Sequence, residues 1–217
     1  MRREEGRSIK EIARSLGVSR SSVSVWVRDI SLTEEQRQAL DKRHAVHNGQ
    51  AKGAAANARI ARERRSRYQQ YGRALARLGD AIFVAGCMLY WAEGAKDRHK
   101  AMLCNSDPEM LRFFARFLRA CFDVPDEKMR ICCHLFADHE AKQHEIEEFW
   151  LTIVGLPRSC LNKSMVNCYS RWSQKKRKNK LPYGTCRLTV YDVRVVQAIY
   201  GGIQELSGIE RQEWLGL

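Results

Sequence analysis

The chain has no stretch approaching the roughly 18 uninterrupted apolar residues that a membrane-crossing helix needs. Met1-Arg2-Arg3 is followed by Glu4-Glu5, where a secretion signal would place an apolar segment. Both absences argue against a membrane partner, and the expected location is the cytoplasm. A C-x-x-C pair is also missing. The eight cysteines, Cys87, Cys104, Cys121, Cys132, Cys133, Cys160, Cys168 and Cys186, sit mostly among apolar neighbours, where a reduced thiol behaves as a small hydrophobe. Cys132-Cys133-His134 with His139 and His144 is the sharpest exception. Adjacent cysteines on a strand point to opposite faces, however, and do not readily share one ion.

Acidic residues are the other shortage, 25 against 38 Lys+Arg, for a net charge of +13 over 217 residues. Residues 1 to 80 carry 18 basic and 9 acidic side chains, a balance of +9, and the remaining 137 residues only +4. An excess concentrated in one segment favours a polyanion, with phosphate neutralisation and counterion release supplying the attraction. Double-stranded DNA is the expected partner.

The strongest local pattern runs from Ser8 to Asp29. Ser8 with Glu11 is a capping box, and Ile9, Ile12, Ala13 and Leu16 place one apolar stripe on the helix it starts. Gly17 ends that helix, Val18 plugs the turn and Ser19 caps a second helix, whose apolar side is expected to be Val23, Trp26 and Val27. Its other side presents Arg20, Ser21, Ser22, Ser24 and Arg28, with Ser19 at the front. Short hydroxyls flanked by arginines suit a recognition helix, because they reach base edges and phosphates without filling the major groove. The segment resembles the helix-turn-helix of resolvases and transposases. Of the eight residues before Ile9, only about five could serve as a first helix, so either an earlier helix is missing or the following linker completes the bundle.

Residues 1–31 are therefore assigned to a small all-α DNA-binding domain and 32–79 to a basic helical linker. Within the linker, a helix capped by Thr33 is expected over Leu32 to Asp41, and His44 to Gly53, with two glycines, is a hinge candidate. Ala54 to Leu78 contains Arg59, Arg62, Arg64, Arg65 and Arg67. With few large apolar residues it reads as a surface helix that could track phosphates.

Residues 80–217 alternate helix and strand signals, giving an α+β domain with a sheet covered on one side. Helices are expected over Ala81 to Glu93, after a Ser106-x-x-Glu109 cap, over His139 to Val154, and after Asp192; strands over His99 to Asn105, Lys128 to Leu135, Leu161 to Asn167 and Thr185 to Tyr191. Lys128, Arg130, Cys132 and His134 fall on one face of the second strand, and Arg187 and Thr189 on one face of the last. Lys128, Arg130 and Arg187 are thus DNA-binding candidates. The six basic residues within Arg171 to Lys180 read as a phosphate-embracing loop.

The segment from Val84 to Gly94, Val-Ala-Gly-Cys-Met-Leu-Tyr-Trp-Ala-Glu-Gly, resembles the signature helix of LAGLIDADG homing endonucleases, and Cys104 to Glu109 with its Phe-rich helix is similar to the segment after the signature in that family. The resemblance spans roughly residues 80 to 206. It implies a saddle of antiparallel strands laid in the major groove and two signature helices packed through small residues. Ala85 and Ala92 fit that packing; Met88 stands where glycine is common. Each such helix projects an acid toward the scissile phosphate, which is the place of Glu93. One such motif per chain implies a homodimer.

Phosphodiester hydrolysis uses a divalent ion to polarise phosphate and activate water, and Mg²⁺ prefers carboxylate oxygen. Glu93 is the resulting metal and catalytic candidate, with Lys163 a second catalytic candidate that could neutralise developing charge. Two functions are compatible with these residues: a Mg²⁺-dependent site-specific endonuclease, and a transcription regulator that keeps the saddle for binding, as sporulation regulators combining these two modules do. A third reading, a mobile-element factor resembling a resolvase fragment, lacks an identifiable serine-nucleophile domain.

Overall fold

The computed structural model describes residues 1–47, 49–167 and 181–216, with the side chains of 44–51 excepted. It divides into two compact units, Met1–Ile60 and Ala61–Leu217. Among the described residues no helix is long and apolar enough to cross a membrane.

The first unit contains α1 (Arg2–Glu5), α2 (Ile9–Leu16), α3 (Arg20–Trp26), α4 (Glu34–His47) and the start of α5 (Gly49–Arg77). Ser8 and Glu11 form the reciprocal capping box of α2, and Gly17, at φ 65°, closes it in the left-handed region that glycine tolerates. The core is Ile12, Ala13 and Val23, with Ile9, Val18 and Val27 packed against it. Leu16 and Trp26, expected inside, are 48% and 59% exposed. The reason is size. Helices of 8 and 7 residues share a core that valines and isoleucines already fill. The linker supplies further packing: Gln36 of α4 donates to the carbonyls of Arg3 and Glu4 at 3.1 and 3.4 Å, Leu40 is buried and Arg43 pairs with Glu11 at 3.8 Å. Thr33 and Gln36 exchange the cap of α4. The hinge candidate contains the ends of two helices, α4 at His47 and α5 at Gly49, and residue 48 lies outside the described residues.

The second unit holds the rest of α5, then α6 (Ala81–Glu93), β1 (Ala101–Asn105), α7 (Pro108–Phe122), β2 (Met129–Phe136), α8 (Gln143–Val154), β3 (Met165–Asn167), β4 (Thr185–Val190) and α9 (Val193–Ser207). The cap of α7 is Asp107, not Ser106, with Pro108 in the first turn, and a 3-10 stretch over Ala137–Lys142 precedes α8. The sheet order is β1-β4-β2-β3. β4 is antiparallel to β1 and β2, as expected, but β3 runs parallel to β2, so the sheet is mixed and not antiparallel. The cause is the connection. β2 reaches β3 through α8, and a helical crossover returns the chain in its original direction.

The inward residues of the strands, among them Leu103, Ile131, Cys133, Leu188 and Val190, join Phe83, Phe114, Phe117, Trp150 and Ile199 from the helices in one core. Helix α9 is the most enclosed. Gly201 faces α5, where a Cβ would meet the Gln69 carbonyl oxygen at 2.0 Å, and Gly202 faces α6, where it would meet the Cys87 sulfur at 2.7 Å. The expectation that residues 54 to 78 lie wholly on the surface fails beyond residue 60, because Gln69, Gly72 and Ala76 are buried. Small residues permit that close approach, and a polar network replaces the missing apolar stripe. Gln69 donates to Gln197 at 2.8 Å and accepts from Gln204 at 3.0 Å, and Gln197 donates to the Arg98 and Trp214 carbonyls.

Candidate nucleic-acid interface

In the first unit the front of α3 is a hydroxyl cluster. Ser19 Oγ accepts from the Ser22 backbone N–H at 3.1 Å and lies 3.0 and 2.8 Å from the Ser21 and Ser22 hydroxyls. Ser19, Arg20, Ser21, Ser24 and Arg28 are exposed, and Ser22 is half-buried beside the core residue Val23. Neither arginine has an ion pair among the described residues. Helical spacing puts Ser21 and Val25 in one outward row; Arg28, expected on the same helix, lies in the turn beyond it, because α3 ends at Trp26 with Val27 as its cap. Val25 is 60% exposed, an apolar side chain at the centre of the polar face. Sequence reasoning passed over it, although the same spacing that buries Val23 requires Val25 to point away.

In the second unit the outer sheet face carries Met102, Cys104, Arg130, Cys132, His134, Thr185, Arg187 and Thr189, which the register sets side by side. Arg187 is central, opposite Cys104 on β1 and Cys132 on β2. Its guanidinium has no ion pair among the described residues. Burial first, and then the charge of Arg187, hold the His134 imidazole below its ordinary value. Arg130 is less available, since its guanidinium bends back to donate to the Glu127 and Met129 carbonyls at 2.6 and 2.7 Å. Lys128 is exposed but belongs to a 3-10 turn before the strand. Two outward residues, Cys132 and Thr189, are buried. For Cys132 the neighbouring loop is one cause, its thiol donating to the Lys163 carbonyl at 3.4 Å.

Lys163 was expected on a strand over Leu161 to Asn167. That strand is shorter: Leu161 makes one isolated bridge with Ile131, pairing resumes at Met165, and Lys163 is exposed in between. The loop is anchored beside it, where Ser164 donates to the buried carboxylate of Glu147 at 2.7 Å. Burial pushes the Glu147 carboxyl up, but hydrogen bonds from Ser164, Gln143 and Arg158 outweigh it and hold the group below the usual range. The phosphate-embracing loop, 171 to 180, lies outside the described residues.

At the end of α6, Glu93 is exposed, and its carboxylate accepts from the Asn105 side-chain amide at 3.4 Å. Gly94 pairs with Leu103 of β1, so Glu93 adjoins one edge of the sheet while Lys163 adjoins the other. With β4 and β2 between them, strand spacing alone separates those edges by about 14 Å, and one chain does not bring the two catalytic candidates together. Lys96, which sequence reasoning missed, donates from its ammonium to the carbonyls of Tyr90, Trp91 and Gly94 at 3.1, 2.8 and 2.7 Å. Burial and then the charge of Arg211 lower its pKa, while Glu93 raises it. Among the described residues no group of three His, Cys, Asp or Glu side chains converges as a metal site. One exposed carboxylate, next to carbonyls already taken by an ammonium, does not fit the oxygen-rich octahedron that Mg²⁺ demands.

The outer face of α6 carries Ala81, Ala85 and Ala92, all exposed, with Met88 half-buried among them. Opposite, Phe83, Cys87 and Tyr90 are buried, and a Cβ on Gly86 would lie 2.2 Å from the Phe117 ring. No protein-family model, curated protein or solved structure matches this chain.

Proposed function

We propose that this protein binds double-stranded DNA sequence-specifically as a homodimer and acts as a transcription regulator. The observation that carries the reading is the outward face of α3, where Arg20, Ser21 and Ser24 are solvent-exposed around Val25, with Arg28 exposed in the turn that follows, on a helix whose opposite side is locked to α2. Arginine and serine at the front of such a helix contact phosphates and base edges, and an exposed methyl pair meets the thymine methyl. The sheet face around Arg187 is a second surface for the duplex, and the small-residue stripe of α6 is the proposed dimer seam. Mg²⁺-dependent cleavage through Glu93 is a second reading. It is favoured by one feature, the exposure of that carboxylate at the end of an apolar helix.

Selection from a randomised duplex library, with Mg²⁺ and with EDTA, tests both readings. One retained sequence family in either condition, uncut, is the expected result, with affinity falling steeply as salt rises. Arg28→Ala should weaken binding to the selected site by about 10-fold or more, the loss of one good side-chain contact. Retention without sequence enrichment, or no retention, would refute the reading. Cleavage in Mg²⁺ that Glu93→Gln abolishes while binding persists would establish the nuclease instead.

A further inference from the structure

Helix α5, the turn between α6 and β1, and the 3-10 stretch Gln212–Leu215 meet around one buried amide. Gln197 of α9 accepts from Gln69 of α5 at 2.8 Å and donates to the carbonyls of Arg98 and Trp214 at 3.1 and 3.2 Å. The three segments fixed in this way bring two guanidiniums together. Arg65 donates through Nε and Nη2 to the Leu215 carbonyl at 2.9 and 2.7 Å. A Cβ on Gly216 would lie 2.4 Å from Arg98 Nη1 and 3.0 Å from Arg65 Nη2, so both cations reach the space that a side chain would fill there. A guanidinium has five N–H donors. Arg65 commits two of them to a neutral carbonyl, and Arg98 commits none among the described residues, where neither side chain has an ion pair. Asp97, the acid next to Arg98 in sequence, instead accepts from the His99 N–H and lies 3.7 Å from the Lys100 ammonium. Burial lowers the Arg65 pKa first, and the neighbouring charges of Arg98, Arg62 and Arg64 lower it further.

Like charges held together without a counter-charge destabilise the fold that holds them. Here the fold accepts that cost and leaves donors of both groups unpaired, the arrangement expected of an anion site. A carboxylate is met by a single guanidinium fork. Two guanidiniums at one point match an ion with more oxygens and a higher charge, which is a phosphoryl group. We propose that Arg65 and Arg98 bind a phosphoryl oxyanion beside Gly216. An open hollow of about 610 Å³ shares Leu215 with the pair and gives the ion an approach; its lining carries Arg62, Ser66 and Arg67 against one carboxylate, Glu63. The phosphoryl group belongs either to a free phosphate or to the backbone of duplex DNA, and only the second source rests on the function proposed above.

Thermal unfolding of the full chain in inorganic phosphate, against chloride at matched ionic strength, tests the site without DNA. With the free ion as ligand, the wild-type midpoint should rise saturably, by about 3–6 °C at ten times the half-effect concentration, and Arg98→Gln should remove that rise. For a backbone phosphate the measurement is the salt dependence of binding to the selected duplex. Arg98→Gln should there reduce the slope of log affinity against log salt by about 0.9, the loss of one phosphate contact. Arg116→Gln, at an exposed arginine of α7, is the control for charge alone and should match wild type in both assays. A lost midpoint rise assigns the free ion, and a reduced slope without any rise assigns the DNA backbone. An Arg98→Gln variant that changes neither quantity, or changes them no more than Arg116→Gln does, would overturn the proposal. Should Arg98→Gln fail to fold, Arg98→Lys takes its place; it keeps the charge without the planar fork and should cut the phosphate response by about half or more. Absence of any duplex binding would remove the proposed function, and the phosphate titration would then decide alone.

Discussion

Alanine normally stabilises a helix relative to glycine by up to about 1 kcal/mol, and Gly201→Ala should do the reverse. The added Cβ would lie 2.0 Å from the Gln69 carbonyl oxygen, 2.6 Å from its carbon and 2.7 Å from its Cα. These are backbone atoms of α5, so no rotamer change relieves the overlap, and the helices must part by roughly 1 Å to restore ordinary contact. A shift of that size stretches the Gln69–Gln197 and Gln204–Gln69 hydrogen bonds, now 2.8 and 3.0 Å, beyond useful range. Overpacking costs about 1–3 kcal/mol, and each buried amide left unpaired about 1–3 kcal/mol more. A loss of about 3–5 kcal/mol is therefore expected, a large share of the stability of an ordinary domain. Urea unfolding followed by tryptophan fluorescence suits the measurement, since Trp214 stacks on Tyr200 of α9 with centroids 4.2 Å apart. Gly53→Ala is the control: nothing lies within 4 Å of its Cβ position in the same long helix, and it should raise stability slightly. A Gly201→Ala midpoint equal to or above wild type would refute the close approach of α5 and α9.

Glu147, held below the usual carboxylate range, contributes stability that is present above its unfolded-state pKa of about 4.3 and is lost as pH falls through its lower folded value. Glu147→Gln should flatten that acid limb in pH-dependent urea titrations, and an unchanged acid limb would contradict the assignment. Replacing each thymine of the selected site by deoxyuridine removes only a methyl. One such position should weaken wild-type binding by about 4-fold, the worth of one buried methyl group, and should leave Val25→Ala unaffected; equal losses in both proteins would exclude Val25 as the reader. Ala85→Glu on the exposed stripe of α6 should convert a dimer to a monomer in sedimentation velocity with the circular dichroism unchanged, and a monomeric wild type would remove the seam.

The elements with strong local signals were legible in the sequence. The capping box at Ser8, the Gly17 stop, the Ser19 cap and the alternation of Cys186, Leu188 and Val190 depend on neighbours in the chain, and each stands in the structure. What escaped depends on partners distant in sequence. The inward side of α5 is Gln69, Gly72 and Ala76, which reads as a solvated face because nothing local marks small and amide side chains as buried. The direction of β3 is set by the α8 crossover, which its own three residues do not encode. Lys96 lies in a turn, and no periodicity reveals that three carbonyls meet there. Val25 is legible from the same helical spacing, since it stands two residues from the buried Val23 and so faces outward.

The glycine pair in α9 bears on how many chains a working molecule contains. Gly201-Gly202 gives α9 a small-residue segment of its own, which makes it a candidate to cover α6 within one chain. The structure gives each glycine a different neighbour, and the one facing α6 meets Phe83 and Cys87, on the side opposite Ala81, Ala85 and Ala92. α9 thus packs behind α6 and cannot cover its exposed stripe. That stripe consists of side chains too small to shield a helix backbone, on a helix with no charged residue before Glu93, and such a surface gains most from a partner of the same shape. In the homodimer proposed above a second copy would supply that shape, and a two-fold axis along α6 would bring two copies of Glu93 to one end of the seam.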